Sequence, residues 1–287
     1  MRSARRPRSC GRPLERLRAC GAEPSHGLLL IAVDCAARLG DAKAEEQYLA
    51  QMSNLDSQGL DAALTSVYVA RREKRLGNPV LAIDSLEKAA QGFRDAGWER
   101  EWAIARGELA DILSARGQLD EALRIRTEEE LPVYERLGDV RSKAVTQGKI
   151  ADILFARGQL DEALALHEAN AKAYEALGDG DGIANVRFRT AQIRLSRGDH
   201  QTQGLQQIHD DLAESFAILT RMGRADGIGH VGLLLAQVLA AGGHPDRAGE
   251  VLDQAEAAFV TLGQEAGAKQ VRTLREQVVT AGGDAKA

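Results

Sequence analysis

Residues 110–125 read ADILSARGQLDEALRI and residues 151–166 read ADILFARGQLDEALAL, identical at thirteen of sixteen positions. A chain that writes the same text twice builds the same structural unit twice. Glycine supplies the ruler for that unit. Gly77, Gly117, Gly158, Gly198, Gly243 and finally Gly283 mark one kind of turn, and Gly97, Gly138, Gly178, Gly223 and Gly263 mark another. The interval from a glycine of the second series to the next of the first never changes: Gly97 to Gly117, Gly138 to Gly158, Gly178 to Gly198, Gly223 to Gly243 and Gly263 to Gly283 are all equal. A segment of that length holds a helix of about four turns and a connection, and a closing glycine ends a helix without Cβ strain.

The residues around the glycines agree. Leu137, Leu177 and Leu262 precede the second-series glycines, and Asp139 and Asp179 follow as N-caps of the next helix. Pro79 and Pro245 fall two residues after first-series glycines, in the first helical turn, where a missing N–H costs nothing. Asp120-Glu121 and Asp161-Glu162 occupy the matching places, favoured by the positive end of the helix dipole. The reading is a series of hairpins. Its A helices are placed near 60–76, 98–116, 139–157, 180–197, 224–241 and 264–281, and its B helices near 79–96, 119–137, 160–177, 204–222 and 245–262. Segments 26–39 and 41–54 form a divergent first pair, giving seven A and six B helices.

Small residues recur where two helices must approach closely. Ala70, Ala110, Ala151, Ala191 and Ala236 stand seven residues before a loop glycine, and Ala82, Ala122, Ala163 and Ala248 stand five after it. This pattern of small residue, glycine loop and small residue in paired helices resembles the tetratricopeptide repeat, over roughly residues 26–281. With a period of roughly 40 to 45 residues it is similar to the longer-repeat branch of kinesin light chains and of bacterial regulators. The resemblance implies an all-α fold, an α-solenoid (right-handed superhelix) of stacked antiparallel helix hairpins. The domain plan is an Arg-rich, disordered head over 1–24, the solenoid over 25–281 with a C-terminal capping helix, and a flexible tail over 282–287.

Two repeats depart from the ruler. The interval from Gly117 to Gly138 is one residue longer than its counterpart from Gly158 to Gly178, with the extra residue in RTEEELPVYERLG, so a π-bulge or a simple kink at Pro132 is expected. The interval from Gly198 to Gly223 is five longer than the same counterpart, and its polar excess, DHQTQGLQQ, reads as a longer A-to-B loop.

Composition narrows the function. Aromatic residues are 4% of the chain and proline is scarce, which favours helix over strand. Residues 1–24 hold seven arginines against two glutamates, so the remainder carries a net charge of −10, which disfavours nucleic acid and anionic membrane as partners of the body. The head is readable as disorder, a transit segment or a nucleic-acid arm. Cys10, Cys20 and Cys35 have no metal or disulfide spacing, and the run at 27–37 is too short to span a bilayer. A cytoplasmic location is expected.

No phosphate-binding loop, dinucleotide fingerprint, zinc motif or nucleophile elbow occurs. His26, His167, His200, His209, His230 and His244 sit at unrelated repeat positions and read as surface or loop residues. Trp98 and Trp102, four apart, read as packing against the preceding hairpin. The expectation is a protein that is not an enzyme and uses no cofactor or metal.

Function is then sought where the copies differ. A solenoid binds along its concave wall of A helices. Counted back from Gly117, the stripe Ser114, Asp111, Gly107 and Ile104 lies on one helical face, and each A helix carries the same four positions before its own loop glycine. By the resemblance, this stripe faces the groove. Ser114 and Phe155, the first difference between the near-copies, fall on it. The groove runs from a basic rim of Arg71, Lys74 and Arg75 through Asp111 and Asp152 to a patch of Phe155, Asn185, Phe188, Gln192, Leu195 and Gln237. Gly107 and Gly148, also on the stripe, cost their helices about 1 kcal/mol each relative to Ala and so make space for a partner or a neighbouring helix. Carboxamides both donate to and accept from a peptide backbone. The expected function is a non-catalytic scaffold holding a protein or peptide in this groove, and the same residues are also readable as packing between repeats. The alternative is the ligand- or partner-sensing arm of a larger bacterial signalling ATPase or transcriptional regulator. Helix faces at the solenoid ends leave end-to-end homodimerisation open.

Overall fold

A computed structural model describes residues 24–55, 59–199 and 201–284, and every regular element among them is a helix. The chain divides into two compact units at Gly138/Asp139. In the first, α1 (His26–Leu39) and α2 (Ala42–Asn54) form one hairpin and α3 (Leu60–Arg75) and α4 (Pro79–Asp95) the next. The third pairs α5 (Glu99–Ala115) with a B helix in three parts: α6 (Leu119–Arg124), a π-helical segment (Ile125–Glu130) and α7 (Leu131–Leu137). The second unit holds α8 (Val140–Ala156), α9 (Leu160–Leu177), α10 (Gly180–Arg197), α11 (Thr202–Met222), α12 (Ala225–Ala241), α13 (Pro245–Thr261) and α14 (Glu265–Asp284).

These bounds fall within three residues of those read from the glycine ruler, because the local signals act as predicted. Gly77, Gly117, Gly158, Gly198 and Gly243 take φ of 78–82° and the second-series glycines 63–72°, all left-handed helix ends, whereas Gly283, expected to mark a turn, lies inside the last helix, which runs on to Asp284. Asp139 and Asp179 cap α8 and α10, accepting from Ser142 N–H and Gly182 N–H at 3.0 Å. All nine repeat alanines are at most 1% exposed, so the helices that carry them approach their neighbours closely. In the second unit the core extends from Ala184 through Leu212, Leu235 and Leu252 to Val271, and α14 closes it with Ala268 and Val278.

The lengthened B helix contains a π-bulge rather than a simple proline kink. The segment carries two buried charges four residues apart, Arg126 and Glu130, which pair with each other. Both lie over Gly107 of α5, where a Cβ would meet Glu130 Oε1 at 2.5 Å and Arg126 Nη1 at 2.9 Å. Asp111 ion-pairs the same guanidinium at 2.8 Å. Gly107 thus makes room for its own hairpin partner.

Three expectations are corrected. The excess after Gly198 is not a long loop: α11 begins at Thr202 and spans 21 residues, because Ile208 and Leu212 continue its apolar stripe and are fully buried. His26 and His167 are not surface residues; His26 bonds Thr65 Oγ1 at 2.9 Å, and His167 is 1% exposed. Trp102 does pack on the preceding hairpin, under Arg94, but Trp98 is 42% exposed. The Arg-rich head, apart from its last residue, lies outside the described residues, as do residues 285–287 of the tail and His200.

Candidate functional site

The stripe residues are distributed over both units, and each unit has its own geometry. In the first, Arg71 is drawn to Glu108 of α5 and stands 5.5 Å from the Tyr68 ring, and the Glu108 carboxylate raises the arginine above its ordinary range. Lys74 is exposed and makes no ion pair among the described residues. Asp111 belongs to the Arg126–Glu130 network described above, so its charge is spent within the hairpin.

In the second unit the stripe separates into residues with internal partners and residues without. Arg189 of α10 stands at ion-pair distance from Asp152 (3.3 Å) and donates to Gln192 Oε1 (3.1 Å). Asp152 also lies 3.7 Å from Nε2 of the buried His167. Phe155 is half-buried among Ala163, Leu164 and Ile193, and Leu195 packs on the main core. Asn185 and Gln237 are exposed, and their carboxamides have no bonding partner among the described residues.

These free amides line two open cavities. One, of about 320 Å3 between α10 and α12, is bounded by Asn185, Phe188, Arg189, His230 and Val231, with the pair Asp181–Arg224 (2.6 Å) at its rim. Arg224 also holds the Asp226 carboxyl below the usual carboxylate range by a direct hydrogen bond. Arg224 is shared by Asp181 and Asp226, and Phe188, Asn185 and His230 also line the cavity. The second cavity, about 600 Å3 between α12 and α14, is bounded by Leu233 and Leu274 with Gln237, Gln270, Gln277 and Lys269. Of the stripe residues, Asn185, Phe188 and Gln237 therefore line accessible space, while Phe155, Leu195, Gln192 and Asp152 serve the packing of the unit.

The sequence reading missed Gln270, Thr273 and Gln277. The signal was present: these three stand before Gly283 as Ile104, Gly107 and Asp111 stand before Gly117, and they line the larger cavity. It also missed Arg189, which no repeat position singles out.

Consecutive helix pairs with side-by-side A helices define a repeat protein in which each hairpin stacks on its neighbours. The fold is tetratricopeptide-like: residues 142–202 match the family model of the tetratricopeptide repeat, and the chain is similar in fold to solved helical repeat structures. A Rap protein complexed with Competence and Sporulation Factor aligns at 17% identity and a TM-score of 0.70, over 94% of this chain and 76% of that one. The quorum sensor NprR from B. thuringiensis, in its apo form, aligns at 15% and 0.69, over 93% and 75%. The repeats of a putative kinesin light chain from Podosopora anserina align at 21% and 0.54, over 70% and 95%. At these identities the likeness is one of fold. No curated protein matches the chain.

Proposed function

We propose that the protein is a non-catalytic binding scaffold that takes an extended peptide, or an extended segment of a protein, across the A-helix face of its second unit. The observation that carries this is the row of unspent amides, Asn185, Gln237 and Gln270, one on each of three successive A helices and each beside a cavity with an apolar wall. Such amides bond a peptide backbone in either sense, and Phe188, Leu233 and Leu274 offer surface to its side chains. Two similar folds have been solved with bound partners, NprR with its cognate peptide NprX and the Rap protein with Competence and Sporulation Factor. The reading as a sensing arm of a larger regulator is favoured by the likeness to NprR, described as a quorum sensor.

The test uses substitutions that leave the core intact. A library of short peptides is screened for binding to the full chain and to an Asn185→Ala/Gln237→Ala variant of equal helicity. Peptides that bind the parent at least tenfold more tightly than the variant support the face as the site. Capture of no peptide, or of the same set with equal affinity, overturns it.

A further inference from the structure

The protein's only two tryptophans, Trp98 and Trp102, lie in the first unit, away from the amide row. They sit in a furrow between α4 and α7, floored by α5. Two cavities of about 330 and 270 Å3 open along it and share Arg94 and Trp102.

The charges in this furrow are unequally spent. Arg106 pairs with Glu129 through two hydrogen bonds, the longer 3.0 Å, and Arg136 pairs with Glu99 at 3.0 Å. Asp95 accepts from Gln91 at 2.7 Å. Among the described residues Arg94 has neither ion pair nor hydrogen bond; its guanidinium stacks on the Trp102 ring at 4.8 Å. Stacking of this kind fixes the plane of a guanidinium while leaving its N–H edge outward. Both indole N–H groups also lack a partner among the described residues. Around the smaller cavity, bounded by Trp98, Trp102, Val133, Arg94, Arg136 and Glu99, the unspent groups are thus donors. The unpaired carboxylate of Glu87 borders only the larger cavity and directs an anion away from it.

We propose that the smaller cavity binds a carboxylate carried on an aromatic group, with the carboxylate on the outward edge of Arg94 and the ring between Trp98 and Trp102 over Val133. Its volume suits one side-chain-sized group and not a whole cofactor. Two sources share this chemistry: the C-terminal residue of a peptide chain and a free aromatic acid.

Because both tryptophans line the cavity, their fluorescence and their indole 1H–15N resonances report on it alone. The full chain is titrated with acetyl-Ala-Ala-Phe bearing a free carboxylate, with its C-terminal amide, and with phenylacetate. The expected result is a saturable shift of both indole signals with a carboxylate probe, at least tenfold weaker with the amide. Arg94→Gln, at unchanged helicity, is expected to weaken binding at least tenfold, and Trp98→Ala to weaken it also. A tenfold preference for the peptide identifies a chain end as the ligand, and equal or better binding of phenylacetate identifies a free acid. Absence of any indole shift, an equal response to the amide, or undiminished binding to Arg94→Gln overturns the proposal.

Discussion

At Gly107 a methyl group would stand 2.5 Å from Glu130 Oε1, whereas at Gly148, its counterpart in the next repeat, the nearest atom is Asn170 Nδ2 at 4.0 Å. The two glycines share a repeat position and differ in what faces them. In the first copy the facing pair is Arg126 and Glu130, 4% and 5% exposed, which cannot retreat into solvent without giving up their ion pair. In the second the facing residue is Asn170, held by its own bond to the Ala144 carbonyl at 3.1 Å. Gly107→Ala is therefore expected to destabilise the protein by about 1–3 kcal/mol, the usual cost of overpacking. Gly148→Ala removes a helix-interior glycine without a clash and is expected to stabilise by up to about 1 kcal/mol. Urea denaturation of the two variants checks both signs. Equal shifts would show that the Arg126–Glu130 pair yields freely and that Gly107 is not shaped by it.

The π segment at Ile125–Glu130 shows how one inserted residue is absorbed by an element. Thr127, exposed within it, is not needed for burial. Its deletion would return the helix to the length of its near-copy and place Arg126 and Glu130 three apart, still neighbours on one α-helical face but turned relative to Gly107 and Asp111. Distorting a buried charge network in this way is destabilising. The deletion is expected to keep the helical circular dichroism and lower the urea midpoint; a midpoint unchanged or raised would show that the bulge is tolerated rather than required. The sequence carried the extra residue as a count between glycines, yet it could not choose between a π-bulge and a kink at Pro132, because the choice depends on what α5 presents to Arg126 and Glu130. The same limit applies to the stripe. Its register was legible from the glycines, and Asn185, Phe188 and Gln237 do line open space. Asp111 and Asp152 look identical in sequence, but Arg126 engages the first and Arg189 the second, and the latter contact crosses from one hairpin to the next. The loop expected after Gly198 failed for a related reason: polar composition was read in place of the Ile208–Leu212 stripe.

A protein assembled from repeats derives its stability from each repeat and its nearest neighbours, so a perturbation at one end should stay there. The last helix tests this. α14 has one neighbouring hairpin, and Glu256 of α13 holds it through Arg272 at 2.7 Å and Arg275 at 2.8 Å. Those two hydrogen bonds, Arg272 first, hold the Glu256 carboxyl below the usual carboxylate range. A depressed carboxyl contributes stability that is present above its unfolded value and lost as pH falls through the folded one. The tie is exposed and so modest and weakened by salt. Glu256→Gln at neutral pH isolates it from the other carboxylates that acid would also titrate. The expected outcome, read by amide hydrogen exchange, is faster exchange along α14 with unchanged protection of α3, α4 and α5; acid is expected to reproduce the α14 effect in the parent and to add little in the variant. If protection in the first unit fell in step with α14, the chain would unfold as one cooperative body, and the nearest-neighbour account of its stability would fail.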